Sequence, residues 1–322
     1  MGTSATSKTD PGHPAAEASR WPGQRPFALF LSHDVDQIHD RELFHVLADL
    51  NHVRRMLAGG ERGNFGLAFR RIARALFAPK PAEKDFQTIL EIEARHGFRS
   101  TFFLLHDPYW SRHGSRYRLD CPELRRIVDL IRASGGEIGV HGGYLRFNRA
   151  DKYRESREAV QQALGIQAAG IRNHYLRFSG PETWLAQEAA GFSYDATFGY
   201  SDRLGPREGR MLPFFPEDPK TGRKIDLVEL PLTVMDVPLF WNLGLEREAA
   251  LDAAWKAIEP VIQAGGLVTL LWHNNFFNEP EYADWQWTYE RLLERLAARN
   301  PWCATGAEIV QWWRSKKPPE HG

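Results

Sequence analysis

The sequence predicts an α/β protein in which a mostly parallel sheet, covered by helices, closes into one barrel. Three observations lead there. From Pro26 onward, apolar runs of strand length alternate with helical patterns. About seven such runs occur, several rich in β-branched or aromatic residues. Ionisable side chains recur at one end of the runs, as they do where the C-terminal ends of parallel strands converge on one rim. At ~100–200 residues per domain, the 322-residue chain has room for one large domain or two ordinary ones. The body contains no repeat of fixed period and no low-complexity linker, which favours one.

The first run is Phe27 to Leu31 in FALFLSHDVD, and the second is Thr101 to Leu105 in RSTFFLLHD. GGEIGVHGG, entered and left through glycines, is the third. GIRNHY, FSYDAT, IDLVELPL and GLVTLLWHNN follow. Between them, Ala82 to His96 spaces Phe86, Ile89, Leu90 and Ile92 on a helical face, and Pro122 to Ala133 does so with Leu124, Ile127, Val128 and Ile131. Asp151 to Leu164, Pro181 to Ala190, Arg247 to Ala264 and Tyr282 to Ala298 read likewise. Pro122 and Pro181 suit first-turn positions, where a missing N–H costs little. Gly165, Gly191 and Gly265 fall where left-handed C-terminal caps belong. Ile38 to Pro81 and Leu204 to Arg223 interrupt the alternation.

Composition excludes several classes. Lys+Arg and Asp+Glu are 41 each, for zero formal net charge, which argues against a general electrostatic grip on nucleic acid. No apolar run approaches the ~18–20 residues of a membrane span. Cys121 and Cys303, the two cysteines, suggest neither a disulfide framework nor a cysteine-based zinc site. The polar N-terminus lacks the apolar core of a secretory signal, so a cytoplasmic location is expected. The expected organisation is a disordered tail at 1–25, a barrel domain at 26–315 with a helical insertion at about 38–81, and a flexible tail at 316–322. The oligomeric state is not legible.

The rim residues are His33, Asp34 and Asp36 after the first run, His106 and Asp107 after the second, and His141 after the third. Arg172 and His174 follow the fourth, Asp195 the fifth and His273 the last. Asp34 and Asp36, two apart at a strand end, project to the same side. Two carboxylates so placed repel unless a cation or proton sits between them. One can then ligate a metal while the other accepts a proton, or both can simply cap a turn.

With these motifs in order, the chain resembles the polysaccharide deacetylases (carbohydrate esterase family 4, the NodB-homology domain), as a divergent branch. The resemblance runs from Phe27 to Trp313 and implies a distorted (β/α)7 barrel. In it Asp34 matches the family's base and Asp36 a metal ligand. RSTFFLL is similar to the second-strand run. EIGVHGGYL supplies His141 as the first histidine of H-x-x-x-H. Arg172-Asn173-His174-Tyr175 lies in the place of the arginine motif, and Leu270-Leu271-Trp272-His273 resembles the terminal leucine–histidine motif. The aspartate motif matches Asp195 in SYDAT, with Asp236 in LTVMD as competitor. There are two departures: Leu145 stands where the second histidine belongs, and His174 stands where the family has proline. A catalytic zinc-type site needs about three protein ligands. The expected set is therefore Asp36, His141 and His174, with His106 as substitute and a loop hydrogen bond as the alternative role of His174.

The resemblance implies hydrolysis of an N-acetyl amide on a carbohydrate. One divalent ion, zinc or else cobalt, nickel or iron, would polarise the carbonyl and activate water. Asp34 would take the proton, Arg172 would hold Asp34 ionised, and the Tyr175 N–H would support the oxyanion. His273 would protonate the leaving amine, oriented by Asp195. His33 and His39 read as supporting or surface groups. The alternatives are a cyclic amide or ureide hydrolase on the same fold, and a degenerate barrel that binds glycan without hydrolysis. Phe276, Phe277, Trp285 and Trp287, in the loop after His273, offer apolar faces to a sugar or pack as core. In 64–80, Phe65, Phe69, Ile72, Leu76 and Phe77 share one helical face and Arg70, Arg71 and Arg74 another. This segment is a candidate for peripheral contact with an anionic membrane, or else an outer helix or lid with a solvated basic face.

Overall fold

The strands are β1 (Ala28–Val35), β2 (Ser100–His106), β3 (Glu137–Gly142), β4 (Gly170–Asn173), β5 (Tyr194–Asp195), β6 (Val228–Glu229), β7 (Val234–Met235), β8 (Leu267–Leu271) and β9 (Trp302–Cys303). The structure, a computed structural model, describes residues 20–38, 54, 81–108, 111 and 113–316. The insertion expected at about 38–81 therefore lies outside the described residues except at its two ends and Arg54, and the basic segment 64–80 with its membrane contact lies wholly outside. So does His39.

Eight strands run in the order β6-β5-β4-β3-β2-β1-β8-β7, and β9 pairs with β1. Every strand pairing is parallel. The edge strands β6 and β7 are consecutive in sequence, joined only by Leu230 to Thr233. Five extended Cα steps reach at most ~18 Å, whereas the edges of a flat eight-stranded sheet lie ~33 Å apart. The sheet must therefore curl until its edges approach, which makes it the distorted barrel expected.

Helices α1 (Lys84–Ala94), α2 (Pro122–Ala133), α3 (Ala150–Leu164), α4 (Pro181–Ala189), α5 (Arg247–Gln263), α6 (Ala283–Ala297) and α7 (Gly306–Ser315) accompany the strands. Pro122 and Pro181 open their helices, and Gly165, Gly191 and Gly265 adopt left-handed φ of 70°, 83° and 61°. Three elements escaped the sequence reading. Strands β7 and β9 are two residues each, too short for a period to register. Helix α7 is announced locally, by a capping box between Thr305 and Glu308. None of the helices searched is long and apolar enough to cross a membrane.

Trp21, near which the polar N-terminal stretch was expected to end, is packed. Its ring is buried at 2% exposure, lies 5.9 Å from both Trp302 and Trp313, and donates its indole N–H to the Gly265 carbonyl. Packed structure thus begins within the stretch read as tail, because an indole this size gains more from the barrel floor than the backbone loses by being fixed.

Strand parity decides which side chains reach the barrel. Phe27, just before β1, and Leu29 and Leu31 on it join the core between sheet and helices, while Ala28 and Phe30 join the inner cluster. Asp34 shares the inner parity and His33 the outer. Val140 and Ile171 point outward, which turns His141 and Arg172 inward. Phe103 and Tyr194 face inward, which turns His106 and Asp195 toward the helices.

Candidate active site

His33 shows the parity at work. It is fully buried behind the sheet, with Nδ1 2.7 Å from the Trp272 carbonyl and Nε2 2.9 Å from Glu93 Oε1. Tyr289 and Ser100 also donate to Glu93. His33 thus joins β1, α1 and α6 and supports the site without entering it. His106 likewise faces away: Nδ1 lies 3.2 Å from Ser156 Oγ on α3, and burial, aided by Arg146, pushes its pKa down to about 4. It is not positioned to substitute as a ligand.

Asp34 lies at the inner end of β1. Its Oδ1 accepts from Arg172 Nη1 at 3.1 Å. Arg172 is completely buried, donates Nε–H to the Ala196 carbonyl at 2.9 Å, and lies over the Phe103 ring at 4.6 Å. A guanidinium in that setting requires a carboxylate partner, and Asp34 provides it.

Asp36, His141 and His174 converge beside this pair. Their potential ligand atoms all lie within 4.8 Å of one another. Asp36 Oδ1 is 3.5 Å from Nε2 of each histidine, and His141 Nε2 is 3.6 Å from Asp34 Oδ2. Nδ1–H of His141 donates to the Arg172 carbonyl at 2.9 Å. A carbonyl only accepts, so the lone pair of neutral His141 sits on Nε2, aimed at the cluster. Burial is the main influence lowering the His141 pKa, opposed by Asp34. Burial would raise Asp36, but His174 and His141 together outweigh it and hold the carboxyl below its usual range.

The arrangement fits a divalent ion. Asp36 Oδ1 and His141 Nε2 are buried without a hydrogen-bond partner. Ligands ~2.1 Å from a tetrahedral ion lie ~3.4 Å from each other, close to the 3.5 Å separations of Asp36 Oδ1 from the two rings. The His/His/Asp donor set is of the type that takes zinc and its first-row neighbours.

His174 is followed by Tyr175, whose φ of 58° is strained for a non-glycine residue. The Tyr175 ring stacks on His174 with centroids 4.2 Å apart, and its hydroxyl lies 3.3 Å from His113 Nδ1. Leu145, at the place of the absent second histidine, is 56% exposed, and its N–H donates to Asp107 Oδ2 at 3.1 Å. The preceding Gly143 is required there, because a Cβ would come 2.6 Å from the Asp107 carboxyl carbon.

His273 follows β8, the neighbour of β1. Its ring partner is Asp236, not Asp195. Asp236 Oδ1 lies 2.9 Å from His273 Nδ1, and Oδ2 accepts the His273 backbone N–H at 2.7 Å. Burial alone would lower the His273 pKa, but Asp236, with help from Asp36 and Asp34, pushes it up to about 9. The assignment of Asp195 to this task is therefore corrected. Asp195 faces the helix layer, where its Oδ1 accepts from the Thr197 backbone N–H and hydroxyl.

Asp195 instead pairs with Glu229, also fully buried, which accepts from Trp184 Nε1 and the Phe198 N–H. Burial raises both pKa values, Asp195 to about 6, and the Asp195 charge pushes Glu229 further up. Stability from the shared proton is complete below the ordinary carboxylate range and is lost as pH rises through the raised pKa values of the pair. Asp195→Asn keeps the acceptor for Thr197 and removes one titrating group. Its Tm relative to the unmodified protein is expected to be a few degrees more favourable at pH 8 than at pH 4.5. Thermal denaturation at both pH values checks this, and equal differences would show that the pair shares no proton.

In the aromatic loop, the packing alternative is the one the structure shows. Phe276, Phe277 and Trp285 are 2%, 0% and 5% exposed, and Trp287 packs partly buried against the outer core. They are packing residues. The sequence reading missed Trp241, which is 61% exposed.

No family model matches the sequence, and no curated protein matches it. Solved structures do. The Puue allantoinase is 15% identical, with a TM-score of 0.61 over 94% of this chain and 95% of its own. A structure from Mycobacterium smegmatis described as a polysaccharide deacetylase is 20% identical, with a TM-score of 0.55 over 98% of this chain and 100% of its own. At these identities the likeness is one of fold, and it extends over nearly the whole chain: this protein has the distorted (β/α)7 barrel fold of the polysaccharide deacetylase type.

Proposed function

We propose that this chain is a metal-dependent hydrolase that removes N-acetyl groups from a carbohydrate. The observation that supports it best is the placement, on one rim, of a His/His/Asp set with buried unpartnered ligand atoms beside an arginine-held carboxylate and a carboxylate-held histidine. Asp36, His141 and His174 would hold the ion. When bound, a divalent cation there supplies polarisation of the acyl carbonyl and acidification of water. Asp34, kept in place by Arg172, accepts the water proton. The Tyr175 backbone N–H is assigned to the developing oxyanion. His273, carrying a proton secured by Asp236, donates it to the departing amine. Acetate and a free amino sugar result.

Acetate release from a panel of N-acetylated glycans and lipid-linked intermediates, with allantoin as the ureide comparison, tests the reading. Chelator should abolish release, and added zinc, cobalt, nickel or iron should restore it. Chelator-insensitive release, or turnover of allantoin alone, would refute it. His174→Ala should weaken metal affinity by at least ~10²-fold, since even supporting residues contribute 10–100-fold. Metal titration by calorimetry checks this, and unchanged affinity would remove His174 from the ligand set.

A further inference from the structure

One side chain on β1 breaks an otherwise apolar face. Phe27, Leu29, Leu31 and Val35 all lie in the core between sheet and helices, and His33 shares their face. It is completely buried. An aliphatic residue at this position would need no polar partner, whereas a buried imidazole must have its nitrogens satisfied. Departures of this kind from a consistent local pattern are expected at functional sites.

The His33 ring is fixed from several sides. It stacks on Phe102 with centroids 4.7 Å apart and meets Tyr289 edge-on at 5.9 Å. Glu93 lies 2.9 Å from Nε2 and is itself held by the hydroxyls of Tyr289 and Ser100, each at 2.7 Å. The other nitrogen, Nδ1, donates to the Trp272 carbonyl at 2.7 Å, since a carbonyl only accepts. That contact lies where the ladder between β1 and β8 ends. The register stops at Ser32 and Leu271, and the Trp272 N–H then donates to the Ser32 carbonyl at 3.0 Å. Past that point a side chain takes over from the backbone.

The Trp272 carbonyl belongs to the peptide group that leads into His273. A peptide ordinarily presents its C=O and N–H in opposite directions. Here the C=O is taken by His33 behind the sheet, and the N–H donates to Asp236 Oδ2 at 2.7 Å. The same carboxylate holds the His273 ring, with Oδ1 2.9 Å from Nδ1. Two side chains thus pin one peptide plane at its two ends. Without His33 the plane can turn about its flanking bonds, and the direction of His273 turns with it. His33 also directly precedes Asp34, so it ties the backbone of the proposed proton acceptor to that of the proposed donor.

Resting on the deacetylase reading above, we infer that His33 is a positioning residue: acting through the Trp272 carbonyl, it sets the placement of His273 relative to Asp34, while Glu93 orients its ring. It touches neither substrate nor ion. Its effect falls on the step that needs a correctly aimed proton donor, the departure of the amine.

His33→Asn and His33→Gln test this as a pair. An asparagine amide can donate where Nδ1 does, and a glutamine amide reaches where Nε2 does. The first keeps the Trp272 contact and the second only the Glu93 contact. Metal-loaded protein is assayed for acetate release from a tetramer of N-acetylglucosamine and for hydrolysis of an activated aryl acetate. His33→Gln should lower kcat on the amide by ~10²-fold, the cost of misplacing a catalytic group by about 1 Å. KM and metal content should be unchanged, and the ester, which needs no proton donor, should lose little. His33→Asn should recover most of the amide activity. A role confined to folding would instead lower amide and ester turnover together, in step with Tm. Equal losses on both substrates, or a greater amide loss in His33→Asn than in His33→Gln, overturn the inference.

The crystal structure of metal-free His33→Gln is a readout independent of turnover. His273 Nδ1 and Asp236 Oδ1, 2.9 Å apart in the unmodified chain, should separate beyond hydrogen-bond distance. If that variant does not fold, His33→Leu, which suits the apolar face, carries the same expectations. Separation of the pair, with no acetate release from any acetylated probe by the unmodified chain, refutes the deacetylase and leaves the positioning role standing. Release by the unmodified chain with the pair unmoved in the variant overturns the positioning role and leaves the deacetylase standing.

Discussion

Replacing Asp34 by asparagine is expected to lower kcat by ~10²–10⁴ while the protein keeps its metal, because general acid–base catalysis is typically worth that much. The geometry separates the two aspartates. Asp34 Oδ1 is committed to Arg172, and Asp36 Oδ1 is the oxygen that lies 3.5 Å from both histidine rings. Asparagine at 34 can still accept from Arg172, so the fold and the arginine remain in place, but it has no affinity for a proton. Asp36→Asn should do the reverse and lose metal first, with activity falling as a consequence. Metal content after dialysis, measured beside kcat for both variants, distinguishes them. Loss of metal in Asp34→Asn with retention in Asp36→Asn would show that base and ligand are exchanged.

His273→Ala is expected to cost a similar ~10²–10⁴ on an amide and much less on an activated ester, whose leaving group departs without a proton. Equal losses on both substrates would refute the role of proton donor. The pH dependence follows with a definite sign. The active form of His273 is protonated, so kcat/KM falls as pH rises through its pKa. Asp236 is foremost in pushing that value up to about 9 against burial, with Asp36 and Asp34 contributing. A cation on Asp36 cancels part of this attraction, which places the alkaline limb of the loaded enzyme below that value. Asp236→Asn keeps a side chain of the same shape but removes the charge. The alkaline limb should move to lower pH and kcat should fall at neutral pH. A limb that stays in place would assign it to a different group, since such limbs report macroscopic titrations.

Much of this protein was legible in the chain. Alternating strand and helix patterns implied a parallel, helix-covered barrel, and the ends of the apolar runs marked the rim. Asp34 and Asp36, His141, Arg172, His174 and His273 were all visible as ionisable residues at strand ends, and the structure gathers them on that rim. The family resemblance sorted them into expected roles. It also drew attention to Leu145 and His174, the two departures. Leu145 is turned to solvent, and His174 stands within the ligand cluster.

What the sequence by itself determined was therefore local: residue types, the periods that make strands and helices, and the caps that end them. The tertiary structure alone decided which ionisable groups meet. Both Asp195 and Asp236 are candidates in the chain, and Asp195, after a readable apolar run, is the nearer match to the expected motif. Parity sends Asp195 toward Glu229 and the helices, while the two-residue strand β7, which has no detectable period, brings Asp236 beside His273. The same holds for the aromatics: no local pattern separates Phe276 from Trp241, yet one is buried and the other exposed at the rim. Partner choice of this kind depends on strand register and on the curling of the sheet, and both are set by contacts between residues far apart in sequence. No local pattern encodes them, because the energy that fixes them comes from burying both faces of the whole sheet at once.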